Sequence, residues 1–222
     1  MGKRGPKPRQ LISEEWSANL AYAIGLLASD GCLSKPIHGH LIDLTSKDRE
    51  QLENFLFCLD APYKITEKRG GNDKNYLRVQ FKNVFFYNFL ISIGLSPAKS
   101  QTLGALKIPD EYFFDFLRGL FDGDGCTYSY WDKRWKSSFM FYTTFVSASI
   151  DFTEWIRARI EHFAGVRGHI SRSKGHNFYQ LRYAKREGLI VLRLMYHNKD
   201  VIHLSRKRLK IEKMLRILGE RL

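Results

Sequence analysis

Cysteine is scarce in this sequence, and the few cysteines form none of the patterns that cysteine chemistry requires. The 222 residues include three cysteines, an odd number without a Cys-x-x-Cys pair, which argues against a disulfide framework or a zinc site. Long apolar runs are also missing, so no membrane span is expected. The basic first residues are not followed by the apolar core of a signal peptide. We therefore expect an intracellular protein of the cytoplasm, the nucleoid or an organelle, which is not secreted.

Acidic residues are few relative to basic ones. The chain has 36 Lys and Arg against 23 Asp and Glu, a net charge of +13. An excess this large indicates a polyanionic partner, and nucleic acid is favoured over a membrane surface because no single amphipathic anchor contains the charge. With 44% hydrophobic residues, the chain is expected to fold as one large domain or two half-size ones.

One apolar segment occurs twice. Ala-Ile-Gly-Leu-Leu-Ala-Ser-Asp-Gly (residues 23–31) matches Leu-Arg-Gly-Leu-Phe-Asp-Gly-Asp-Gly (residues 117–125) at two glycines, a leucine and an aspartate, and cysteine follows both copies. Gly25 and Gly119 begin small-residue faces along which two helices can pack closely. Such packing would place Asp30 and Asp124 side by side at two negative helix ends, where a cation is required. Oxygen ligands of this kind favour Mg²⁺, for which Ca²⁺ or Mn²⁺ can substitute.

The elements around the two motifs also repeat. The first unit is predicted to contain a helix over 14–29 capped by Ser13, a strand over 41–44, a helix from 46, strands over 63–66 and 76–81, and a helix over 83–93. The second unit is predicted to contain a helix over 109–122, strands over 127–130 and 138–146, a helix over 151–163, strands over 169–172 and 178–183, and a basic helix over 204–218. We therefore divide the chain into a flexible basic arm (1–13), a first repeat (14–93), a linker (94–108) and a second repeat (109–222).

Both motifs closely resemble the signature of the LAGLIDADG homing endonucleases in their single-chain, two-motif form. The resemblance extends to Ser-Lys-Asp (46–48), Ser-Ile-Asp (149–151), Gly-Leu-Ser-Pro-Ala-Lys-Ser (94–100) and Leu-Ser-Arg-Lys-Arg (204–208). It implies an α+β fold of two pseudo-twofold-related αββαββα repeats, whose saddle-shaped antiparallel sheets grip duplex DNA in the major groove. It also implies site-specific double-strand cleavage across the minor groove that leaves 3′ overhangs.

The resemblance assigns roles to particular residues. Asp30 and Asp124 match the family's metal ligands, which the main-chain carbonyls of Ser29 and Gly123 commonly assist. Lys82 and Lys185 match the basic residue near each catalytic centre. Two interpretations of these lysines stay open, because a strand register shifted by one residue would leave either of them an ordinary solvated charge.

Further residues have two interpretations each. Asp122 has no acidic counterpart in the first motif, so it is either a metal ligand or, alternatively, a helix-end turn residue or a group that supports the ligands from behind. Candidate DNA contacts are Arg78, Trp131, Lys133, Arg134, Trp135, Lys136 and Arg182. The aromatic members of this set are equally explained by cross-strand packing in a hairpin.

The predicted function is therefore a monomeric, metal-dependent DNA endonuclease with a long specific duplex target. The alternative is a protein of the same fold that binds nucleic acid without cutting it, as an intron-splicing maturase or a transcription regulator. Two mutually repelling aspartates favour the nuclease, because a pure binder has no need to hold them together.

Overall fold

The computed structural model describes residues 9–35, 37, 39–69, 75–135, 137–173 and 175–222, which contain seven α-helices and eight β-strands. The elements of the first half are α1 (Ala18–Ser29), β1 (Gly31–Leu33), β2 (Leu41–Ser46), α2 (Arg49–Leu59), β3 (Ile65–Arg69), β4 (Asn75–Lys82) and α3 (Val84–Ser92). Those of the second half are α4 (Phe113–Asp124), β5 (Cys126–Trp131), β6 (Phe139–Ser147), α5 (Ile150–Ala164), β7 (His169–Arg172), β8 (Tyr179–Ala184), α6 (Lys185–Met195) and α7 (Ser205–Ile217). The predicted pair of αββαββα repeats is confirmed. The second repeat ends in α6, however, and the basic helix that was predicted to end it is α7, which follows the repeat as an addition.

The two motif helices, α1 and α4, pack against each other in the centre of the molecule. A methyl group on Gly25 would lie only 2.6 Å from the main-chain nitrogen of Leu120, and one on Gly119 would lie 3.1 Å from Cα of Tyr22. The helix backbones are thus in direct contact at these two glycines, as the small-residue faces predict. The two helix ends that bear the motif aspartates are consequently brought together.

Each half contributes one four-stranded antiparallel sheet, with the strand orders β1-β2-β4-β3 and β5-β6-β8-β7. The pairing of Leu44 with Val79 in the first sheet corresponds to the pairing of Phe145 with Leu181 in the second. These four side chains are buried in the core, and the helices pack against that face of each sheet. Side chains at the alternating positions form the opposite face, which we call the outer face.

Three sequence predictions about the helices need correction. The first helix begins at Ala18, because Ser17 rather than Ser13 accepts the capping hydrogen bond, from the main-chain N–H of Leu20. Residues 110–112 form a 3₁₀ turn before α4, and α4 continues through Asp124 rather than ending at Asp122. Helix α6 was not predicted, since Gly188 and the β-branched pair that follows Leu189 disfavour a helix locally.

None of the helices in the described ranges is long and apolar enough to cross a bilayer. The predicted arm lies outside the described residues at positions 1–8, and so does the candidate DNA contact Lys136.

Candidate functional site

Asp30 and Asp124 lie next to each other at the carboxyl ends of α1 and α4. Asp30 is the C-cap residue of α1, and Asp124 is the last residue of α4. Gly123 is the point of contact between the helices at this level, because a methyl group there would lie 2.9 Å from Oδ2 of Asp30. The small residue preceding Asp124 therefore allows the second motif to approach the carboxylate of the first.

At both carboxylates, desolvation outweighs the nearby groups that favour negative charge. Burial raises the pKa of Asp30, and repulsion from Asp124 raises it further. Partial desolvation likewise raises the pKa of Asp124, although this side chain is exposed, against the opposing attraction of Lys207 and Lys99. No Lys, Arg or His side chain of the described residues forms an ion pair with either aspartate. The pair is thus a partly desolvated anionic site whose negative charge the surrounding protein compensates only in part.

Two lysines lie close to the aspartates, the half-buried Lys207 and the buried Lys99. Lys207 of α7 donates from Nζ to the carbonyl oxygens of Phe121 (2.6 Å), Gly123 (2.8 Å) and Gly125 (2.7 Å). It thereby satisfies the unpaired carbonyls at the end of α4, where the helix dipole favours a cation. Burial lowers the pKa of Lys207 to about 8.

Lys99 has the corresponding position at the end of the first motif. Its Nζ donates to the carbonyl oxygen of Gly31 at 2.6 Å, and Gly31 is the repeat equivalent of Gly125. Burial lowers the pKa of Lys99, against the opposing attraction of Asp124 and Asp30. Each motif therefore has one lysine, and each lysine is fixed by main-chain carbonyls rather than by direct pairing with a carboxylate.

The two centres differ in the residue beside each aspartate. Gln51, the third residue of α2, donates from Nε2 to Oδ2 of Asp30 at 2.8 Å, and its Oε1 accepts from Ser46. The third residue of α5 is Phe152, which with Asp124 and Lys99 lines a cavity of about 110 Å³. The first centre thus has a polar side chain that orients its carboxylate, while the second has an apolar wall.

Asp122 faces the protein interior instead of the paired aspartates. It is fully buried, and its Oδ2 accepts hydrogen bonds from the hydroxyl of Tyr22 (2.8 Å) and the main-chain N–H of Leu204 (2.7 Å). Leu204 is the N-cap residue of α7. Of the two interpretations of Asp122, the geometry favours the structural one, because this carboxylate fixes the helix that bears Lys207.

The two lysines predicted for the catalytic centres, Lys82 and Lys185, are both exposed. Lys82 is exposed at the end of β4, beside Gly39, and Lys185 is an exposed residue that begins α6 at a positive φ of 29°. The charges that act on the motif aspartates are instead those of Lys99 and Lys207. The carbonyl of Gly123 accepts from Lys207, and the hydroxyl of Ser29 donates to Leu26 at 3.0 Å.

The candidate DNA contacts fall into two groups. Arg78 and Arg182 project from the outer faces of the two sheets, on strands β4 and β8. The others are exposed at the turn between β5 and β6; they are Trp131, Lys133, Arg134 and Trp135. Trp131 also packs on Phe139, with ring centroids 5.1 Å apart, so the cross-strand interpretation holds for this ring.

Gln51, Lys99 and Lys207 were missed in the sequence as site residues, although a signal for the two lysines was present. Both lie in the Leu-Ser segments that resemble the family, and the end of each motif helix requires a cation. Gln51 gave no such signal, because its contact with Asp30 depends on how α2 packs against α1. No three His, Cys, Asp or Glu side chains of the described residues converge as a ready-made metal cage.

No protein-family model and no curated protein matches this chain. Solved structures do. The homing endonuclease I-WcaI bound to its DNA recognition sequence is 14% identical, with a TM-score of 0.62 over 91% of this chain and 88% of that one. I-DmoI in complex with DNA and Mn is 19% identical, with a TM-score of 0.51 over 84% and 98%.

A third similar structure is full-length DUF199/WhiA from Thermatoga maritima, which is 15% identical. Its TM-score is 0.57 over 91% of this chain and 61% of that one. At such identities the likeness establishes the fold. The chain has the two-repeat fold of the LAGLIDADG homing endonucleases, which confirms the fold that the two motifs predict.

Proposed function

We propose that the protein is a site-specific DNA endonuclease that hydrolyses one phosphodiester in each strand of a duplex. The observation that supports this proposal is the pair of adjacent carboxylates, the half-buried Asp30 and the exposed Asp124, held together by the glycine contact of α1 and α4. Holding two such groups together costs free energy, and the cost has a function if both bind a cation that acts on a phosphate.

The residues present fit a divalent metal. Mg²⁺ in phosphate-processing sites is typically held by one or two carboxylates together with substrate phosphates and water, so the absence of a third acidic ligand among the described residues is compatible with it. Asp30 and Asp124 would hold Mg²⁺, or Ca²⁺ or Mn²⁺ in its place, with the carbonyls of Ser29 and Gly123 as additional donors. A bound divalent cation would supply water activation and neutralise the leaving oxygen.

The protein's own side chains prepare the rest of the site. Gln51 fixes the orientation of the Asp30 carboxylate through its 2.8 Å hydrogen bond. Lys99 and Lys207, tethered to main-chain carbonyls, are positioned to stabilise negative charge on the phosphoryl oxygens as it develops. We therefore transfer to these two lysines the role that was predicted for Lys82 and Lys185.

The outer faces of the two sheets form the proposed DNA-binding surface. I-WcaI has the same fold and is bound to its DNA recognition sequence, and a chain with a net charge of +13 is attracted to the duplex backbone. Arg78 and Arg182 are on these faces, and the exposed turn after β5 extends the surface. Since both motifs are in one chain, we propose a monomer that acts on cellular DNA at a long specific site.

A second candidate function is DNA binding without cleavage. The observation in its favour is that Lys99 and Lys207 already supply positive charge at the two motif ends. The fold itself does not decide, because the structures that share it include WhiA as well as named homing endonucleases.

One experiment separates the two functions. Homing enzymes usually recognise the uninterrupted version of their own insertion site, so the DNA flanking this reading frame provides the substrate. Plasmid containing that joined sequence is incubated with the protein in Mg²⁺ and, in parallel, in EDTA. We expect linear product in Mg²⁺ only; a mobility shift with intact DNA in both conditions would favour the binder.

A further inference from the structure

Three tyrosines form a stack on the outer face of the second sheet. Tyr128 of β5 pairs across the sheet with Tyr142 of β6, and their ring centroids are 4.8 Å apart with planes 13° from parallel. Tyr130 continues the stack at 6.4 Å from Tyr128 and 6.3 Å from Tyr142. Stacked aromatic rings on neighbouring strands form a rigid surface, since each ring restricts the rotation of the next.

Arg182 is held against this stack. Its guanidinium carbon lies 5.7 Å from the ring centre of Tyr128 and 5.9 Å from that of Tyr142. Its Nη2 donates to Oε1 of Gln180 at 2.6 Å. Within the described ranges Nη1 has no hydrogen-bond partner, so one edge of the guanidinium is oriented but unused. A fixed planar fork of this kind suits bidentate acceptors.

The corresponding position in the first repeat is built differently. Arg182 pairs across the sheet with Thr144, and Gln80 occupies the equivalent place opposite Asp43. Gln80 donates from Nε2 to Oδ2 of Asp43 at 2.8 Å, so part of its hydrogen-bonding capacity is used within the protein. The two outer faces therefore present different chemistry at pseudo-symmetric points.

We propose that Arg182 reads a guanine in the major groove of the half-site bound by the second repeat. The inference rests on the proposed DNA-binding function and deepens it by naming one base of the substrate. Guanine offers the adjacent acceptors O6 and N7, and arginine donating to both is the commonest base-specific contact in protein–DNA complexes. The contacts with Tyr128, Tyr142 and Gln180 restrict the side chain before DNA arrives, which reduces the entropy lost on binding. Gln80 cannot make this contact, so the target is asymmetric at the matching position.

The test measures binding and is therefore independent of cleavage. Duplexes are selected from a random library in Ca²⁺ and sequenced for the wild-type protein and for Arg182→Gln and Arg182→Lys. We expect one guanine whose replacement weakens wild-type binding roughly 5- to 150-fold. Its selection should disappear in Arg182→Gln and weaken in Arg182→Lys, since lysine can still donate to guanine, while the other positions stay unchanged. Arg172→Gln is the matched control, because Arg172 lies on the same sheet but pairs with Tyr179 away from the outer face.

A second measurement needs no variant of the protein. Replacing that guanine by 7-deazaguanine removes the N7 acceptor and keeps the base pair, so wild-type affinity should fall about fivefold or more. Equal affinity for both duplexes, a different base at the position, or a uniform loss of affinity across all sequences in Arg182→Gln would overturn the inference while DNA binding stands. Absence of any selected duplex would overturn the proposed function as well.

Discussion

Asp30 and Asp124 are placed where the fold itself gains nothing from their charge. Both lie at the negative ends of helices, Asp30 half-buried and Asp124 exposed, and the pKa of each is raised. Lys99 and Lys207 lie near them but donate to main-chain carbonyls. At the scale of single residues, the site is a compromise in which stability is lost to keep an anionic centre available for a cation.

This compromise predicts how stability depends on pH in metal-free buffer. A carboxyl whose pKa is raised by folding destabilises the folded state above that pKa, and the penalty disappears as the pH falls through it. The double variant Asp30→Asn/Asp124→Asn should therefore melt a few degrees higher than the wild type at pH 7 in EDTA, with the difference shrinking as the pH falls toward 4.

In Ca²⁺ the wild type should melt at a higher temperature than the double variant, since the ion stabilises only a protein that binds it. Thermal melts in EDTA and in Ca²⁺ check both parts of this prediction. Asp151→Asn, in the exposed first turn of α5, is the control and should show neither effect. A double variant that melts below the wild type in EDTA would contradict the conclusion that the charges of Asp30 and Asp124 destabilise the metal-free fold.

Asp122 should behave as a structural residue. Asp122→Ala leaves the Tyr22 hydroxyl and the Leu204 N–H without their buried acceptor and should cost about 2–4 kcal/mol in the free energy of unfolding. Asp122→Asn retains an acceptor and removes a buried charge, so its stability and its metal-dependent cleavage should stay near those of the wild type. Denaturant melts and cleavage assays check this prediction. If Asp122→Asn had normal stability but no longer cleaved DNA, Asp122 would be a metal ligand instead.

How far the sequence predicts the site depends on how local each contact is. The motif aspartates were predictable, because a repeated pattern and helix electrostatics both point to them. Lys99 and Lys207 come from segments outside the motifs, and their placement depends on loop paths that no periodicity encodes. The partnership of Gln51 with Asp30 is likewise a product of tertiary packing between α1 and α2.

At the scale of elements, the contact between α1 and α4 positions everything else. Gly25→Ala and Gly119→Ala should each destabilise the protein by about 1–3 kcal/mol or more, because the added methyl group meets the backbone of the other helix. Alanine's better helix propensity, about 1 kcal/mol, does not offset such a clash. Gly104→Ala is the control, since nothing lies within 4 Å of the added atom. Thermal melts that show no loss for the first two variants would contradict the close packing.

The elements themselves were predictable where the pattern is strong. The strand over 169–172 was predicted with the bounds that the structure shows, and Asn83 caps α3 at the predicted helix start. Boundaries failed where two caps compete, as with Ser13 and Ser17. Helix α6 was not predicted, because Gly188 and the nearby β-branched residues have low helix propensity. Packing against β6 and β8 stabilises the helix nonetheless.

At the scale of the whole molecule, charge and shape together suggest a long duplex footprint. The net charge of +13 and two sheets with open outer faces indicate that many phosphates are neutralised on binding. The affinity measured in Ca²⁺ should therefore fall steeply with salt, with a slope of log affinity against log salt of about −3 or steeper. Fluorescence anisotropy at several salt concentrations checks this, and a shallower slope would mean too few contacts for this surface.

We propose that Asp30 and Asp124 form one cation-dependent centre that cuts both strands. The most direct test of this proposal is cleavage of a duplex labelled differently on each strand, in Mg²⁺, by the Asp30→Asn, Asp124→Asn and control Asp151→Asn variants. Loss of a directly bonded ligand should lower double-strand cleavage at least about 100-fold in each motif variant, with binding in Ca²⁺ and cleavage by the control preserved. Double-strand cleavage near the wild-type rate by either motif variant would contradict the proposal.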